Sequence, residues 1–369
     1  MEFRISRENF LNGVQRVQGI VETKGAMPIL SHLLLSTESG GIAIQATDLE
    51  IGSKGLYPAN VSSQGSAVLN ARKLFDIIRE LPDQEVHVVQ EENNWVTMKC
   101  GNSNFRLPGL PASDFPSLPE YSTDSVMEFR ALLLKEMIRK TIFAISPDES
   151  RQALNGLLLE REGARASMVG TDGHRLAMIH RPASKPGTPG GETLSMIIPK
   201  KALNELLKLA EDDEATLSFS IKNNHIAFIQ GKQVIVSRKI EGKFPNYKQV
   251  IPKDHNLKVT LAKDIFMHAM KRVALLADEK SKMVRLEVRK GSLTLVSDNT
   301  ELGAAKEDVP ISYDGGEMFI GLNAKYVLDV LSVIEHNEIV LNLKDQNHPC
   351  LITVEEDKDY LSIVMPMRL

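Results

Sequence analysis

Apolar residues recur every three to four positions in three segments of similar length, the spacing of one face of a helix. In the first two segments this face carries Phe10, Leu11, Val14 and Val17, and then Met137, Ile138, Thr141, Ile142 and Ile145. The third segment opens at Asp264 and carries Ile265, Phe266, Ala269, Met270 and Val273. The pattern therefore predicts three amphipathic helices at near-constant spacing.

A second kind of helix follows a short apolar strand at residues 68–81, 197–209 and 320–334. Asn70 and Asn323 stand at two of the helix starts, where Asn is a good N-cap, and Pro199 suits the first turn of the other helix. Between the helices, alternating apolar and polar residues predict about eight short strands per segment, for example 87–89, 95–99 and 285–288.

Two further signals recur in the same order. The opening residues MEFR appear again at 127–130. Turn sequences follow strand-like stretches at ATDLEIG, GTDGHRL and VSDNTELG, which contain Thr47 and Asp48, Thr171 and Asp172, and Ser297 and Asp298. Because independent markers recur together, the sequence predicts three copies of one unit.

The segments between the copies set the predicted boundaries. SDFPSLPEYS at 113–122 and GKFPNYKQVIPKDHN at 242–256 share Phe-Pro and paired prolines, which are typical of linkers. The predicted domains are residues 1–125, 126–252 and 253–369. The interval is too long for a solenoid, so each copy is predicted to be an α+β domain with its own core, in which two helices pack on antiparallel sheets. Residues 183–191, rich in Pro and Gly, predict a loop inside the second copy.

Composition narrows the class of protein. A chain of 369 residues fits two or three domains. The apolar runs are too short for a membrane span and the N-terminus lacks a signal-peptide pattern, so we expect a cytoplasmic protein without membrane partners. Cys100 and Cys350 have no spacing that suggests a metal site, and buried structural thiols are the better interpretation.

Charge is distributed unevenly. Over residues 7–20, 71–81, 132–145, 200–209, 263–273 and 324–335, the six predicted helices carry net charges of +1, +1, +2, +2, +2 and −1. They sum to +7 in a chain whose net charge is −4. Lys and Arg are good helix formers, yet five positive helices of six in an acidic protein favour a common basic surface. Such a surface suits contact with phosphates without reading bases.

The stretch TDGHRLAM at 171–178 invites an enzymatic interpretation, since Asp172 and His174 could belong to a nucleophilic relay. No Ser in a GxSxG elbow accompanies them, and the other copies have Leu49 or Asn299 at the position of Gly173. The sequence also lacks a P-loop, GxGxxG and carboxylates at metal-ligand spacing. We therefore predict neither an enzyme nor a cofactor. Catalysis would show as turnover that is lost in Asp172→Asn or His174→Ala.

The C-terminal residues LSIVMPMRL, at 361–369, allow two interpretations. They are either a last strand that Pro366 stops, or a soft apolar surface of two Met and a terminal Leu that accommodates partners.

Together, the triplicated unit, TDGHRLA, FPNYKQVIP and the terminal VMPMRL resemble the bacterial sliding-clamp family, the beta subunits of DNA polymerase III, over the whole chain. The resemblance implies three tandem DNA-clamp domains and a homodimer joined head to tail into a ring. In that family, duplex DNA threads the ring without sequence preference, and the clamp is a processivity factor in DNA replication. The family's partners are the replicative polymerase, the clamp loader, repair polymerases and other proteins that carry a peptide of the Gln-Leu-x-Leu-Phe kind.

The resemblance also implies sites. The partner-peptide pocket corresponds to Leu154, Thr171, Gly173, His174, Arg175, Leu176, Pro245, Val250, Val364, Met365, Pro366, Met367, Arg368 and Leu369. The dimer interface corresponds to Phe105, Leu107, Leu275 and Leu276, and the DNA contacts to Lys24, Arg72, Arg151 and Lys200. The sequence departs from some relatives at two places: Gln249 replaces an Arg at the pocket rim, and Gln152 and Ala153 replace a tyrosine pair that faces DNA.

One alternative function remains open from the sequence. The three domains could form a linear scaffold that binds peptides and never encloses DNA. The oligomeric state and retention on circular DNA separate that scaffold from a ring.

Overall fold

The computed structural model describes residues 1–22, 27–124, 126–183, 194–210, 214–252 and 254–369. All six predicted helices are present within these ranges. Their bounds are α1 Arg7–Val17, α2 Ala71–Glu80, α3 Ala131–Arg139, α4 Lys200–Leu209, α5 Lys263–Val273 and α6 Ala324–Leu331.

Within the described residues, each repeat contributes eight or nine strands, close to the predicted number. In the first repeat they are β1 Glu2–Ser6, β2 His32–Glu38, β3 Gly41–Thr47, β4 Ile51–Tyr57, β5 Asn60–Ser63, β6 Ser66–Asn70, β7 Glu85–Gln90, β8 Val96–Cys100 and β9 Ser103–Leu107. The second has β10 Met127–Arg130, β11 Gly156–Glu162, β12 Arg165–Thr171, β13 Arg175–Pro182, β14 Leu194–Pro199, β15 Thr216–Lys222, β16 His225–Gln230 and β17 Gln233–Arg238. The third has β18 Leu257–Ala262, β19 Met283–Arg289, β20 Ser292–Asn299, β21 Gly303–Pro310, β22 Met318–Asn323, β23 Glu338–Leu343, β24 Cys350–Val354 and β25 Asp357–Val364.

Local chemistry explains where the helices start. The side chains of Asn70 and Asn323 accept hydrogen bonds from the backbone amides of Lys73 (3.0 Å) and Tyr326 (3.2 Å), which confirms both N-caps. Pro199 is the last residue of β14, so it precedes the first turn of α4 instead of lying in it.

Two helical faces differ from the predicted pattern. Helix α3 ends at Arg139, short of the predicted residue 145. The Thr141 hydroxyl donates to the Met137 carbonyl (2.7 Å), and a short 3-10 turn at Ile142–Ala144 follows. In α5 the buried face is Phe266, Ala269, Met270 and Val273, whereas Ile265 is half exposed.

The chain forms two compact units. The first comprises residues 1–134 and 201–239. It contains a five-stranded sheet, β5-β1-β7-β8-β9, and an eight-stranded sheet, β10-β15-β16-β17-β4-β3-β2-β6. Helices α1 and α2 pack against each other in this unit.

The second unit comprises residues 135–200 and 240–369. Its eight-stranded sheet has the order β14-β11-β12-β13-β25-β24-β23-β18, and its four-stranded sheet the order β21-β20-β19-β22. Helices α5 and α6 pack against each other in this unit.

Both eight-stranded sheets combine four strands from each of two neighbouring repeats. Antiparallel pairing of β17 with β4 joins the two halves in the first unit, and pairing of β13 with β25 joins them in the second. Neighbouring repeats therefore share a sheet, because the hydrogen bonds between strands continue from one repeat into the next at each junction. The hydrophobic pattern did not predict this sharing of sheets.

Both cysteines are buried free thiols, as predicted. Burial raises the pKa of the Cys350 thiol to about 12 and also raises the pKa of Cys100. The loop predicted at 183–191 lies outside the described residues apart from Ala183.

Candidate functional site

The turn that joins β12 to β13 is held by its own side chains. Asp172 Oδ1 accepts hydrogen bonds from the backbone amides of His174 (2.9 Å) and Arg175 (3.0 Å). Thr171 Oγ1 donates to the Arg175 carbonyl (2.6 Å) and accepts from the Gly173 amide (3.1 Å). Gly173 has a φ of +89°, a conformation that favours glycine. The Asp172 carboxylate therefore fixes the turn, and no nucleophile contacts it among the described residues.

The first repeat builds the same turn. Thr47 Oγ1 donates to the Ile51 carbonyl (3.0 Å), and Asp48 Oδ1 accepts from the amides of Glu50 (2.9 Å) and Ile51 (2.7 Å). Leu49 occupies the position of Gly173 and has a φ of +78°. The equivalence predicted between these two turns is correct.

The predicted equivalence of the third turn with the other two is wrong by one residue. Asn299 Oδ1 accepts from the amides of Glu301 (2.8 Å) and Leu302 (3.1 Å), which is the pattern of Asp172. The Ser297 hydroxyl is buried and has no hydrogen-bond partner among the described residues. Thr171 pairs with Leu176, but Asp298 pairs with Ala304, so the third turn contains one extra residue. Asn299, and not Asp298, is therefore the equivalent of Asp48 and Asp172.

Arg175 lies inside the structure, not at its surface. Its side chain is 7% exposed. Nε donates to Asp172 Oδ2 (3.0 Å), Nη1 to Asp329 Oδ2 (2.5 Å) and Nη2 to the Phe143 carbonyl (2.5 Å). The guanidinium also lies over the ring of Tyr326, 4.5 Å from its centroid. The predicted peptide contact at Arg175 thus falls on a side chain whose nitrogens are already engaged.

An apolar cluster lies beneath this turn. Leu154 and Leu176, both predicted pocket residues, are buried in it together with Phe244, Tyr247 and other residues of the second and third repeats. Met365 is half-buried and packs against the same cluster. The structure therefore brings together predicted pocket residues that are distant in sequence.

The C-terminal residues extend this surface. Strand β25 ends at Val364, which pairs with Arg175. Beyond it, the Met365 amide donates to the His174 carbonyl (2.8 Å), and the Met367 amide donates to the Gly321 carbonyl (2.8 Å). Pro366 is half-buried, Arg368 is exposed, and Leu369 is 55% exposed. The tail is therefore tethered by its backbone and presents apolar side chains at the surface.

The segment after β17 forms another wall. Phe244 and Tyr247 are buried, whereas Pro245, Gln249 and Val250 are exposed. The Tyr247 hydroxyl donates to Glu160 Oε2 (2.7 Å). Burial and this hydrogen bond raise the pKa of the Tyr247 phenol, so it stays protonated and anchors the wall.

The residues predicted to contact DNA belong to different elements of the fold. Arg72 and Lys200 are exposed in the first turns of α2 and α4. Arg151 is exposed, and its Nη1 donates to the Asp172 carbonyl (2.7 Å), so it also braces the turn. Lys24 lies outside the described residues.

The predicted dimer residues lie at two strand edges. Phe105 and Leu107 are half-buried on β9, the last strand of the five-stranded sheet. Leu275 and Leu276 belong to a 3-10 turn that follows α5 and packs near β21, the last strand of the four-stranded sheet. Leu275 is 77% exposed, unusually high for a large apolar side chain.

Sequence reasoning missed two residues at the turn. Tyr326 and Asp329 lie on α6, and Tyr326 stacks with the His174 ring, with the centroids 6.4 Å apart. Burial raises the pKa of the Tyr326 phenol. Their polar positions in an amphipathic helix gave no signal of this role.

In the described parts of the chain, no helix is long and apolar enough to cross a membrane, and no cluster of His, Cys, Asp and Glu could hold a metal ion.

Comparison with known proteins follows the same division into three. Family models match in succession: the DNA polymerase III beta subunit N-terminal domain at residues 1–119, its central domain at 129–246 and its C-terminal domain at 248–368. The beta sliding clamps of Pseudomonas aeruginosa and Escherichia coli K12 are 34% and 33% identical to the chain, over 100% of both proteins in each case.

Solved structures give the same result. The crystal structure of the DNA polymerase III subunit beta from Pseudomonas aeruginosa aligns with a TM-score of 0.94 at 34% identity, covering 100% of both chains. The Bacillus subtilis sliding clamp also aligns with a TM-score of 0.94, at 27% identity, over 100% of this chain and 99% of that one. Three tandem domains of this fold define the sliding clamps, a class of non-catalytic processivity factors. The chain belongs to the DNA polymerase III beta subunit family within that class.

Proposed function

We propose that two copies of this chain close head to tail into a ring around duplex DNA, and that the ring tethers the replicative polymerase. The observation that carries this proposal is the pairing at the two junctions within the chain. Strands β17 and β4, and strands β13 and β25, meet edge to edge in antiparallel fashion. The equivalent strands of the third junction, β9 and β21, have no neighbour on their outer edges among the described residues. A second copy would supply that neighbour at both ends and close the assembly.

The internal junctions also predict the register of this contact. Leu110, Ile240 and Met367 form isolated bridges with Val68, Ile197 and Gly321, and they lie three residues after Leu107, Ser237 and Val364 of the junction strands. Leu107 thus corresponds to Val364, which pairs with Arg175.

The register of the other strand, β21, follows from the proline at its C-terminal end. Pro182 and Pro310 pair with the first residues of β12 and β20, so Gly303 corresponds to Arg175. The expected pairs across the dimer are Leu107 with Gly303 and Phe105 with Ala305. A large aromatic side chain would then lie opposite a small one.

DNA binding is expected to be weak and independent of sequence. Arg72, Arg151 and Lys200 would contact phosphates, and a ring needs only such screened contacts because its topology prevents escape. A protein of this function works where a bacterium keeps its chromosome, in the cytoplasm.

Retention on DNA tests the ring. Loaded clamps should remain on nicked circular DNA and run off after the same molecule is linearised, as measured by gel filtration of labelled protein. Arg72→Ala should weaken loading or retention only modestly, because no single phosphate contact dominates. Equal lifetimes on circular and linear DNA would favour the alternative of a linear scaffold.

We further propose that polymerases, the clamp loader and repair proteins dock at the apolar surface formed by Leu154, Leu176, Val250 and the tail. Burying a Leu and a Phe from a partner peptide would contribute about 1.5–3 kcal/mol per side chain before ordering costs. That is enough for a transient site at which partners exchange.

Deletion of the C-terminal tail tests the proposed docking surface. Deleting Met365 to Leu369 should abolish binding of a fluorescently labelled peptide ending in Gln-Leu-Ser-Leu-Phe, measured by anisotropy. The dimer should persist, because its proposed contacts lie elsewhere, and its mass is the control. Unchanged affinity in the truncated dimer would mean that partners dock at another surface.

A further inference from the structure

Asp329 is shared by two cations. Its Oδ2 accepts from Arg175 Nη1 at 2.5 Å and from Lys325 Nζ at 2.6 Å. The Lys325 side chain is 56% exposed, whereas that of Arg175 is 7% exposed. A pair excluded from water is screened much less than an exposed one. The Arg175 contact therefore dominates, and through it α6 holds the turn at 172–175.

Each nitrogen of Arg175 has a different partner segment. Nε holds the turn through Asp172, Nη2 holds the carbonyl of Phe143, and Nη1 reaches α6 through Asp329. The ring of Tyr326 on α6 covers the guanidinium and stacks on His174. Asp329 is the carboxylate on α6 in this arrangement, and it fixes the orientation of the planar fork.

The first unit contains a comparable helix without this link. Glu205 is the sixth residue of α4, as Asp329 is of α6. It is buried and pairs with Lys208 of its own helix at 2.7 Å. There the turn is held by Lys201, whose Nζ contacts Asp48 Oδ2 (2.5 Å) and the Ile20 carbonyl (3.1 Å). Of these two carboxylates, Asp329 contacts a side chain of the turn, whereas the described partner of Glu205 lies on its own helix.

We propose that Asp329 is a positioning residue for the peptide pocket and that it acts through Arg175. The carbonyl of His174 accepts from Met365, and Val364 pairs with Arg175. Turn and tail thus form one backbone assembly, and Arg175 fixes it to α6. A turn held in place before the peptide arrives loses less freedom on binding. Without Asp329, Nη1 of a buried guanidinium loses its anionic partner, and α6 holds the turn through the ring of Tyr326 without this ion pair.

The test compares variants of the full-length dimer with the same labelled peptide. Asp329→Asn should weaken peptide binding about tenfold, within the usual range of coupling between neighbouring sites. Asp329→Glu should restore part of the affinity because it returns the carboxylate. Glu205→Gln removes a buried helix carboxylate from the other unit and should leave the affinity unchanged, as should Lys325→Ala.

A second measurement separates positioning from general damage. Hydrogen exchange of the His174 and Arg175 amides should accelerate in Asp329→Asn, while dimer mass and melting temperature stay close to those of Glu205→Gln. The inference rests on the proposed peptide site, and the two can fail separately. If the wild-type protein binds no peptide, the proposed function fails. If the wild-type protein binds and Asp329→Asn binds equally well, or Asp329→Glu restores nothing, only the positioning role is overturned.

Discussion

A single backbone angle gives opposite expectations for two equivalent residues. Gly173 and Leu49 both have positive φ, but a Cβ on Gly173 would also lie 2.9 Å from Arg151 Nη2. Gly173→Ala should therefore destabilise the protein by about 1–2 kcal/mol. Leu49→Gly is the matched change: it relieves a strained conformation at a half-exposed site, so its effect should be near zero or stabilising. Chemical denaturation of both variants checks this, and equal losses in the two would contradict it.

At the scale of elements, an ion-pair network ties α3 to two strands. Lys140 Nζ contacts Glu136 (2.8 Å) and Asp357 (2.9 Å), and Arg181 Nη2 contacts the same two carboxylates (2.5 and 2.8 Å). Burial alone would raise the pKa of Glu136 and of Asp357. Hydrogen bonds from Arg181 and Lys140 outweigh burial and hold both pKa values below the ordinary range.

This network should make the fold sensitive to acid. Since the folded pKa values are depressed, the stabilisation is present above the unfolded pKa of about 4 and is lost as the pH falls through the folded values. Melting temperature should fall steeply between about pH 5 and pH 2. Arg181→Met should cost about 3–5 kcal/mol at pH 7, because it leaves Glu136 and Asp357 to share the single positive charge of Lys140, and should flatten the pH dependence. A variant with the wild-type pH profile would show that acid acts elsewhere.

At the scale of the whole molecule, the proposed ring depends on a small apolar contact. Leu276→Asp would place an unpaired carboxylate against Phe105 and Leu107 of the second copy, and it should convert the dimer into monomer. Sedimentation velocity at micromolar concentration measures this. Leu132→Asp, at an exposed apolar residue of α3, is the control and should remain dimeric. A monomeric wild-type protein would contradict the proposed ring.

The register of the dimer can be tested separately. Phe105→Cys combined with Ala305→Cys should form a disulfide between copies under mild oxidation, because paired strands bring opposite Cβ atoms within about 5 Å. Pairing Phe105→Cys with Ala304→Cys shifts the contact by one residue to the other face of the strand, and should cross-link poorly. Equal cross-linking would contradict the expected register.

The sequence determined the features that depend on neighbouring residues. Helix periodicity, the caps at Asn70 and Asn323, and the turns at Asp48 and Asp172 follow from local spacing and local hydrogen bonds, so they could be predicted. The apolar members of the pocket, such as Leu154 and Met365, came from the family resemblance, and the structure packs them in one cluster. The third turn was misaligned because strand pairing, which sets the register, is not local.

Only the tertiary structure decided which polar residues face inward. Arg175 has the sequence signature of a surface cation, but the fold buries it between Asp172, Asp329 and the Phe143 carbonyl. Asp329 looks like an ordinary solvated position of α6 until packing brings it to a turn 154 residues earlier in the chain. Likewise, sheets that continue from one repeat into the next arise from hydrogen bonds between strand edges. The backbone supplies these bonds whatever the side chains are, so residue pattern carries little record of them.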